Sequence, residues 1–208
     1  MRKLVVGEFV SLDGVVQAPG APDEDTDGGF GHGGWTVPLF NEEIGQAMTD
    51  VIGRAGALLL GRRTYDIFAA SWPLVGDDDP IAATLNRIPK YVASRTLTSA
   101  AWNNSTILTG DVAEGVAKLK DQPGGEIQVA GSSQLIQTLM SHDLVDEYRL
   151  LVFPVLLGSG KRLFAEGTIP SGLALLESTT SSTGVVMSTY ERRGEVAYGA
   201  VGPEQEPA

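Results

Sequence analysis

A chain of 208 residues with 42% hydrophobic content has enough material for one substantial core, and nothing in its composition suggests a fibre or a coil. The formal charge of -11 argues against a nucleic-acid partner, which needs a basic face to displace counterions, and the absence of cysteine excludes disulfides, thiolate nucleophiles and cysteine-bound zinc. After Met1-Arg2-Lys3 the apolar run is only Leu4-Val5-Val6, too short for a secretory signal, and no later run would span a bilayer, so a cytoplasmic protein without a membrane partner is expected.

In chain order, Leu4 to Leu12 reads as the first strand, broken by the turn Ser11-Leu12-Asp13-Gly14. Asp13 is the first carboxylate placed to face a ligand, or equally to bond the backbone of its own turn. Val15 to Pro38 is rich in Gly, Pro and Asp and predicts a long ordered loop of the kind that often serves as a lid. Inside it, Asp23-Glu24-Asp25-Thr26-Asp27-Gly28 copies the first half of a calcium-binding EF-hand loop. Its twelfth position falls on Gly34, where a bidentate glutamate is required, so a solvated turn is expected and calcium is not. His32, alone among glycines, carries no clear sign of a ligand or a proton donor.

Asn41 caps a predicted helix through Ile44, Met48 and Ile52, with Glu42 and Glu43 in its first turn where acids suit the helix dipole. The stretch Ala57-Leu58-Leu59-Leu60-Gly61-Arg62-Arg63-Thr64-Tyr65 then changes character in its middle. An unalternating apolar run of strand length suits a strand buried on both faces; Gly61 ends it, and Thr64 is placed to cap a helix carrying Tyr65, Ile67 and Phe68. Two arginines beside free helix amides at such a strand end favour a phosphate.

Trp72-Pro73 closes that helix, and Gly76 to Pro80 reads as an acidic surface loop. Tyr91 to Thr96 repeats the pattern of a short strand running into a polar turn, here Ser94-Arg95-Thr96. Thr106 to Thr109 is a further strand, and Val112, Val116 and Leu119 mark a helix ended by Pro123-Gly124-Gly125. Ile127 to Ala130 is a second long strand, leading through Gly131-Ser132-Ser133-Gln134 into a helix that begins with Leu135. Three strand ends with polar turns suit a dinucleotide stretched along a sheet edge, and an arginine near the ribose 2′ position favours NADP over NAD. The full GxGxxG fingerprint of a standard Rossmann domain is missing.

Val145 to Leu157 predicts a long strand, and Gly158-Ser159-Gly160-Lys161-Arg162 after it is not a Walker loop, because Val155 and Arg162 stand where that pattern needs a glycine and a Ser or Thr. Leu173 to Arg193 predicts an antiparallel hairpin turning at Ser181 to Gly184, and 194–208 a solvated tail.

Ser11-Leu12-Asp13-Gly14, Leu60-Gly61-Arg62-Arg63-Thr64-Tyr65, Trp72-Pro73, Ala130-Gly131-Ser132 and above all Phe153-Pro154-Val155-Leu156-Leu157-Gly158-Ser159-Gly160-Lys161-Arg162-Leu163-Phe164 together resemble the RibD C-terminal-domain family, over roughly residues 2 to 193. The resemblance implies an α/β fold of the dihydrofolate reductase type: one domain over 1–193, a three-layer sandwich with a mostly parallel central sheet, helices on both faces and a C-terminal antiparallel hairpin. It further implies a homodimer and an NADPH-dependent reductase of a small-molecule substrate, related to the enzyme that reduces 5-amino-6-(5-phosphoribosylamino)uracil in riboflavin synthesis. NADPH would be held by Gly61, Arg62, Arg63 and Thr64, by Ser94, Arg95 and Thr96, and by Gly131, Ser132, Ser133, Gln134 and Leu135, with Val15 and Val16 near the nicotinamide.

For catalysis, dihydrofolate reductases place a carboxylate two residues beyond the proline of a Trp-x-x-Pro segment; Trp35-Thr36-Val37-Pro38-Leu39 puts Phe40 there. The expected catalytic carboxylates are therefore Asp13 and, given a shifted register in the loop, Glu42. Asp13, Tyr65, Phe68, Trp72 and Glu166 are the expected substrate contacts. Alternatives are a sensory or binding protein that holds NADP(H) without turnover, a dihydrofolate reductase-type activity, and a calcium-stabilised structural protein built on Asp23 to Asp27.

Overall fold

In the computed structural model, which describes residues 1–200, the chain folds around a single eight-stranded sheet. Its elements are β1 (Leu4–Ser11), α1 (Glu42–Gly53), β2 (Ala55–Gly61), α2 (Arg62–Ser71), α3 (Pro80–Arg87), β3 (Lys90–Ala93) and β4 (Ser105–Leu108), followed by α4 (Val112–Lys120), β5 (Glu126–Ala130), α5 (Ser133–Ser141), β6 (Glu147–Phe153), β7 (Leu173–Thr180) and β8 (Val186–Arg192). The strand order is β4-β3-β2-β5-β1-β6-β8-β7, parallel from β4 through β6 and antiparallel at β6–β8 and β8–β7.

The period-two geometry of a strand explains the unalternating apolar run of β2. Leu59 points into a core shared with Val116 of α4 and Ile136 and Leu139 of α5, while Leu58 and Leu60 point the opposite way into a core with Tyr65 of α2 and Leu85 of α3. Ile44 of α1 joins Val15, Phe30, Trp35 and Phe153 in a third cluster. Helices thus cover both faces, and the interior strands have no solvent side to make polar.

The helix starts follow their caps. Asn41 accepts from the Ile44 amide, Asp111 from the Glu114 amide, and Asp79 from the amides of Ile81 and Ala82 with Pro80 as the first helical residue. The last of these opens α3, a helix not expected from the sequence, directly after the acidic loop expected over Gly76 to Pro80. At α2 the expected capping residue is corrected: the helix starts at Arg62 with Gly61 before it, and Thr64 lies in its first turn. The strand expected over 145–157 is β6, which ends at Phe153 because Pro154 has no amide to continue a ladder.

Val15 to Pro38 forms the expected loop, held by Trp35 donating through Nε1 to the Gln17 carbonyl and by Gln17 donating to the carbonyls of Asp25 and Asp27. Its root is pinned at Gly160, where a Cβ would meet Val15 at 2.7 Å and Phe30 at 2.9 Å. The tail expected from 194 is tied at its start, Gly194 accepting from the Gly172 amide, and its last part, 201–208, lies outside the described residues. Among the described residues no helix is long and apolar enough to cross a membrane.

Candidate active site

Sheet order places the carboxyl ends of β3, β2 and β5 side by side, so the turns at Ser94–Thr96, Gly61–Thr64 and Gly131–Leu135 share one edge. The last two are locked together. The Gly61 amide donates to Ser132 Oγ at 2.9 Å, and that hydroxyl donates to Thr64 Oγ1 at 2.9 Å. Gly131 and Ser132 are both left-handed, with φ of 57° and 61°. At Gly131 a Cβ would meet the Thr64 side chain at 3.0 Å, so glycine is what lets this turn lie against the start of α2. Arg62 donates to Thr96 Oγ1, Ser94 accepts from the amides of Thr96 and Leu97, and Arg95 is exposed beside them.

A cavity of about 370 Å³ opens from this edge between the sheet, α1 and α2. That is within the usual size range of small-molecule sites. Arg63, Thr64, Gly131, Ser132 and Ser133 line it, as do Val16, Phe68 and Trp72, all expected from the sequence. Three further expectations change. Val15 lies in the core, its backbone bonded to Ser11, and Leu135 packs beneath α5, so neither side chain reaches the cavity. Gln134 is exposed on the outer side of α5 and lines no part of it.

Three of the expected catalytic and substrate carboxylates also move. Asp13 takes hydrogen bonds from Ser11 Oγ at 2.7 Å and from the amides of Leu157 and Gly158 at 3.1 and 2.8 Å, with Arg162 beside it. These donors, the Ser11 hydroxyl foremost, hold its carboxyl down to about 2, so Asp13 stays ionised and clamps the loop 157–162 instead of delivering a proton. Glu42 is exposed in the first turn of α1, and its neighbour Glu43 bonds Ser182 in the hairpin turn; neither is on the cavity wall. Glu166 is exposed in the loop before β7 and also off the wall. Tyr65 is corrected from substrate contact to core: it is buried, and its hydroxyl accepts from the Trp102 amide at 2.9 Å. Phe40 packs edge-on against Phe9, with centroids 6.4 Å apart.

Three carboxyls do line the cavity, Glu24 and Asp25 from the 15–38 loop and Glu8 from the sheet, and Glu8 is not among the residues expected from the sequence. Its strand neighbours at period two, Leu4, Val6 and Val10, belong to the core beneath α4 and α5. Beyond Gly7, which pairs with Ala130, β5 ends, and Glu8 sits where the two strands part. It is only 6% exposed, takes the Gly131 amide on its carboxyl and leaves Oε1 without a partner. Burial first, and then the charge of Glu24, push its carboxyl well above the usual range. The signal was legible as one carboxylate inside the apolar run Leu4 to Val10, at a core-facing position.

The EF-hand-like acids have other work. Asp25 and Asp27 both pair with Arg63 and Lys161, with Asp25 2.5 Å from Arg63 and 2.7 Å from Lys161, so the loop is fastened across the cavity mouth. Among the described residues no group of three or more His, Asp or Glu could hold a metal, and His32 lies edge-on to Phe30.

A parallel sheet closed by an antiparallel hairpin, with its cavity at the carboxyl ends of adjacent strands, defines a protein of the dihydrofolate reductase-like class. The chain belongs to the RibD C-terminal domain family, whose model matches residues 2–187. It is 30% identical over 196 residues to the uncharacterized protein YyaP of Bacillus subtilis (strain 168), covering 93% of this chain and 96% of that one. Among solved structures, a putative riboflavin biosynthesis protein from Shewanella sp. PV-4 superposes with a TM-score of 0.67 at 22% identity, covering 92% of this chain and 99% of that one. Dihydrofolate reductase from Enterococcus faecalis, complexed with NADP(H), gives 0.58 at 13% identity, with 91% and 96% covered. These two share the fold with this chain.

Proposed function

We propose that the protein is an NADPH-dependent reductase acting on a C=N or C=O bond of a small molecule. The observation that carries the reading is the row of three polar strand-end turns on one sheet edge: Arg63–Thr64 and Gly131–Ser133 line the cavity, and Ser94–Thr96, off its wall, is joined to them by the Arg62 bond to Thr96, an arrangement that suits the extended shape of a dinucleotide. Gly131, Ser132 and Thr64 would hold the pyrophosphate against the start of α2. Arg62 and Arg95, both exposed beside Ser94 and Thr96, would meet a ribose 2′-phosphate. Val16, on the wall next to Glu8, would border the nicotinamide.

When bound, the nicotinamide supplies a hydride to the carbon of the substrate double bond. The partner nitrogen or oxygen then needs a proton, and Glu8 is the side chain on the cavity wall suited to give one, since burial pushes its carboxyl up towards the protonated form while hydrogen bonds hold that of Asp13 down. Solvent would reprotonate Glu8 after transfer.

Titration with NADPH and NADH tests the reading. Tight NADPH binding is expected, and Arg62→Ala or Arg95→Ala should weaken it about tenfold or more while leaving NADH nearly unchanged, a loss of ~1.4 kcal/mol or more. Unchanged NADPH affinity in both variants would refute the 2′-phosphate assignment. The protein is further proposed to act as a homodimer, a reading supported by the exposed Leu173, Leu175 and Leu176 along the edge strand β7.

A further inference from the structure

The part of the cavity between α1, α2 and the sheet differs from its mouth. Met48, Val51 and Ile52 come to it from α1, Phe68 and Trp72 from α2 and its end, and Leu58 from β2. Gly7 opens the floor: a Cβ there would meet nothing within 4 Å, and its sheet neighbours in register are Ala130 and Arg149. Besides Glu8, two polar side chains reach this part from the sheet, Gln128 and Arg149.

Neither offers a free positive charge. Gln128 donates to the Val51 carbonyl. Arg149 is held in a fork by both oxygens of Glu126, each at 2.8 Å, and donates through Nε to Glu147 at 2.7 Å. Two carboxylates therefore surround one guanidinium, and Glu147 is itself shared with Lys3 at 3.1 Å. The other cations on the cavity wall, Arg63 and Lys161, are bound to Asp25 and Asp27. Among the described residues no unpaired cation lines the cavity.

We infer that this inner part takes an uncharged, phosphate-free carbonyl compound built on a flat apolar ring system, and not a phosphoribosyl pyrimidine. A phosphate entering there would lose its water, find the Arg149 guanidinium already bound to carboxylates through Nε, Nη1 and Nη2, and meet the charges of Glu126 and Glu147. A flat apolar ring instead covers Phe68, Trp72 and the aliphatic side chains of α1, and its carbonyl oxygen finds a hydrogen-bond donor in Glu8. This inference rests on the reductase reading only in assigning the mouth of the cavity to the cofactor.

Calorimetric titration with 1-tetralone and with uridine 5′-monophosphate, on the protein alone and then with NADPH present, tests it without any turnover. The ketone is expected to bind at least about tenfold more tightly than the nucleotide, and Phe68→Ala to weaken it by about tenfold. Met48→Lys, which adds an unpaired cation to the wall, should shift the preference towards the nucleotide and keeps the test open if Phe68→Ala fails to fold. Uridine monophosphate binding in the NADPH-loaded protein as tightly as the ketone, or binding by neither, overturns the inference. Ketone binding in a protein that does not bind NADPH would instead refute the reductase reading and leave this one standing.

Discussion

The mouth and the floor of the cavity are both built on ion pairs, and they differ in what holds the carboxylates. At the mouth Asp25 and Asp27 come from the 15–38 loop and pair with Arg63, itself 55% exposed, so an incoming anion can compete for the same guanidinium. At the floor Glu126 stands on β5, and Glu147 and Arg149 on β6, the two strands that flank β1, and the Arg149 side chain is 6% exposed. A loop-borne pair in water is worth little and exchanges easily. A sheet-borne pair out of water is fixed by the loss that follows when either member is left alone.

The largest expected effect comes from breaking the floor. Arg149→Met leaves Glu126 without its guanidinium fork and Glu147 with Lys3 alone, and should cost ~3–5 kcal/mol, read as a lower urea midpoint. Replacing Arg149, Glu126 and Glu147 together with apolar residues should recover much of that loss. A single variant as stable as the parent would show that the floor pairs are solvated.

Glu8 gives the next effect. With Glu8→Gln the cavity keeps a hydrogen-bond donor but loses the transferable proton, so turnover should fall ~100-fold or more while NADPH affinity holds. The pH dependence separates proton transfer from packing. A carboxyl whose native pKa is raised contributes full stability below its unfolded value near ~4.3, and that contribution is lost as pH rises through the native value. The parent's urea midpoint should decline over that window, and the Gln variant should not show the decline. Asp13, with its carboxyl held at about 2, has the opposite sign: its stabilisation is present above the unfolded carboxylate range and fades as pH falls towards about 2.

The smallest effect belongs to the mouth. Asp25→Asn should change stability by no more than ~1 kcal/mol, yet raise NADPH affinity by leaving Arg63 with Asp27 alone, and the gain should shrink as salt is added. A large stability loss would mean that the loop is integral to the core and not a fastened cover.

Local chemistry alone settled much of this molecule. The apolar run at Leu58 to Leu60 required cover on two sides, Asn41 fixed the start of α1, and the glycine-bearing turns at Gly61 and Gly131 marked strand ends fit for an anion. Each of these follows from neighbours in the chain, which is why they were legible in it. The partners of the charged residues were not, because they depend on distances between remote segments. Asp13 meets amides at 157 and 158, Arg63 meets Asp25, and Arg149 meets Glu126 across the sheet. Whether a carboxyl is a proton donor or a clamp is set by the donors and the water around it: the packing of β1 against the end of β5 left Glu8 dry, and the return of the chain after β6 left Asp13 bonded.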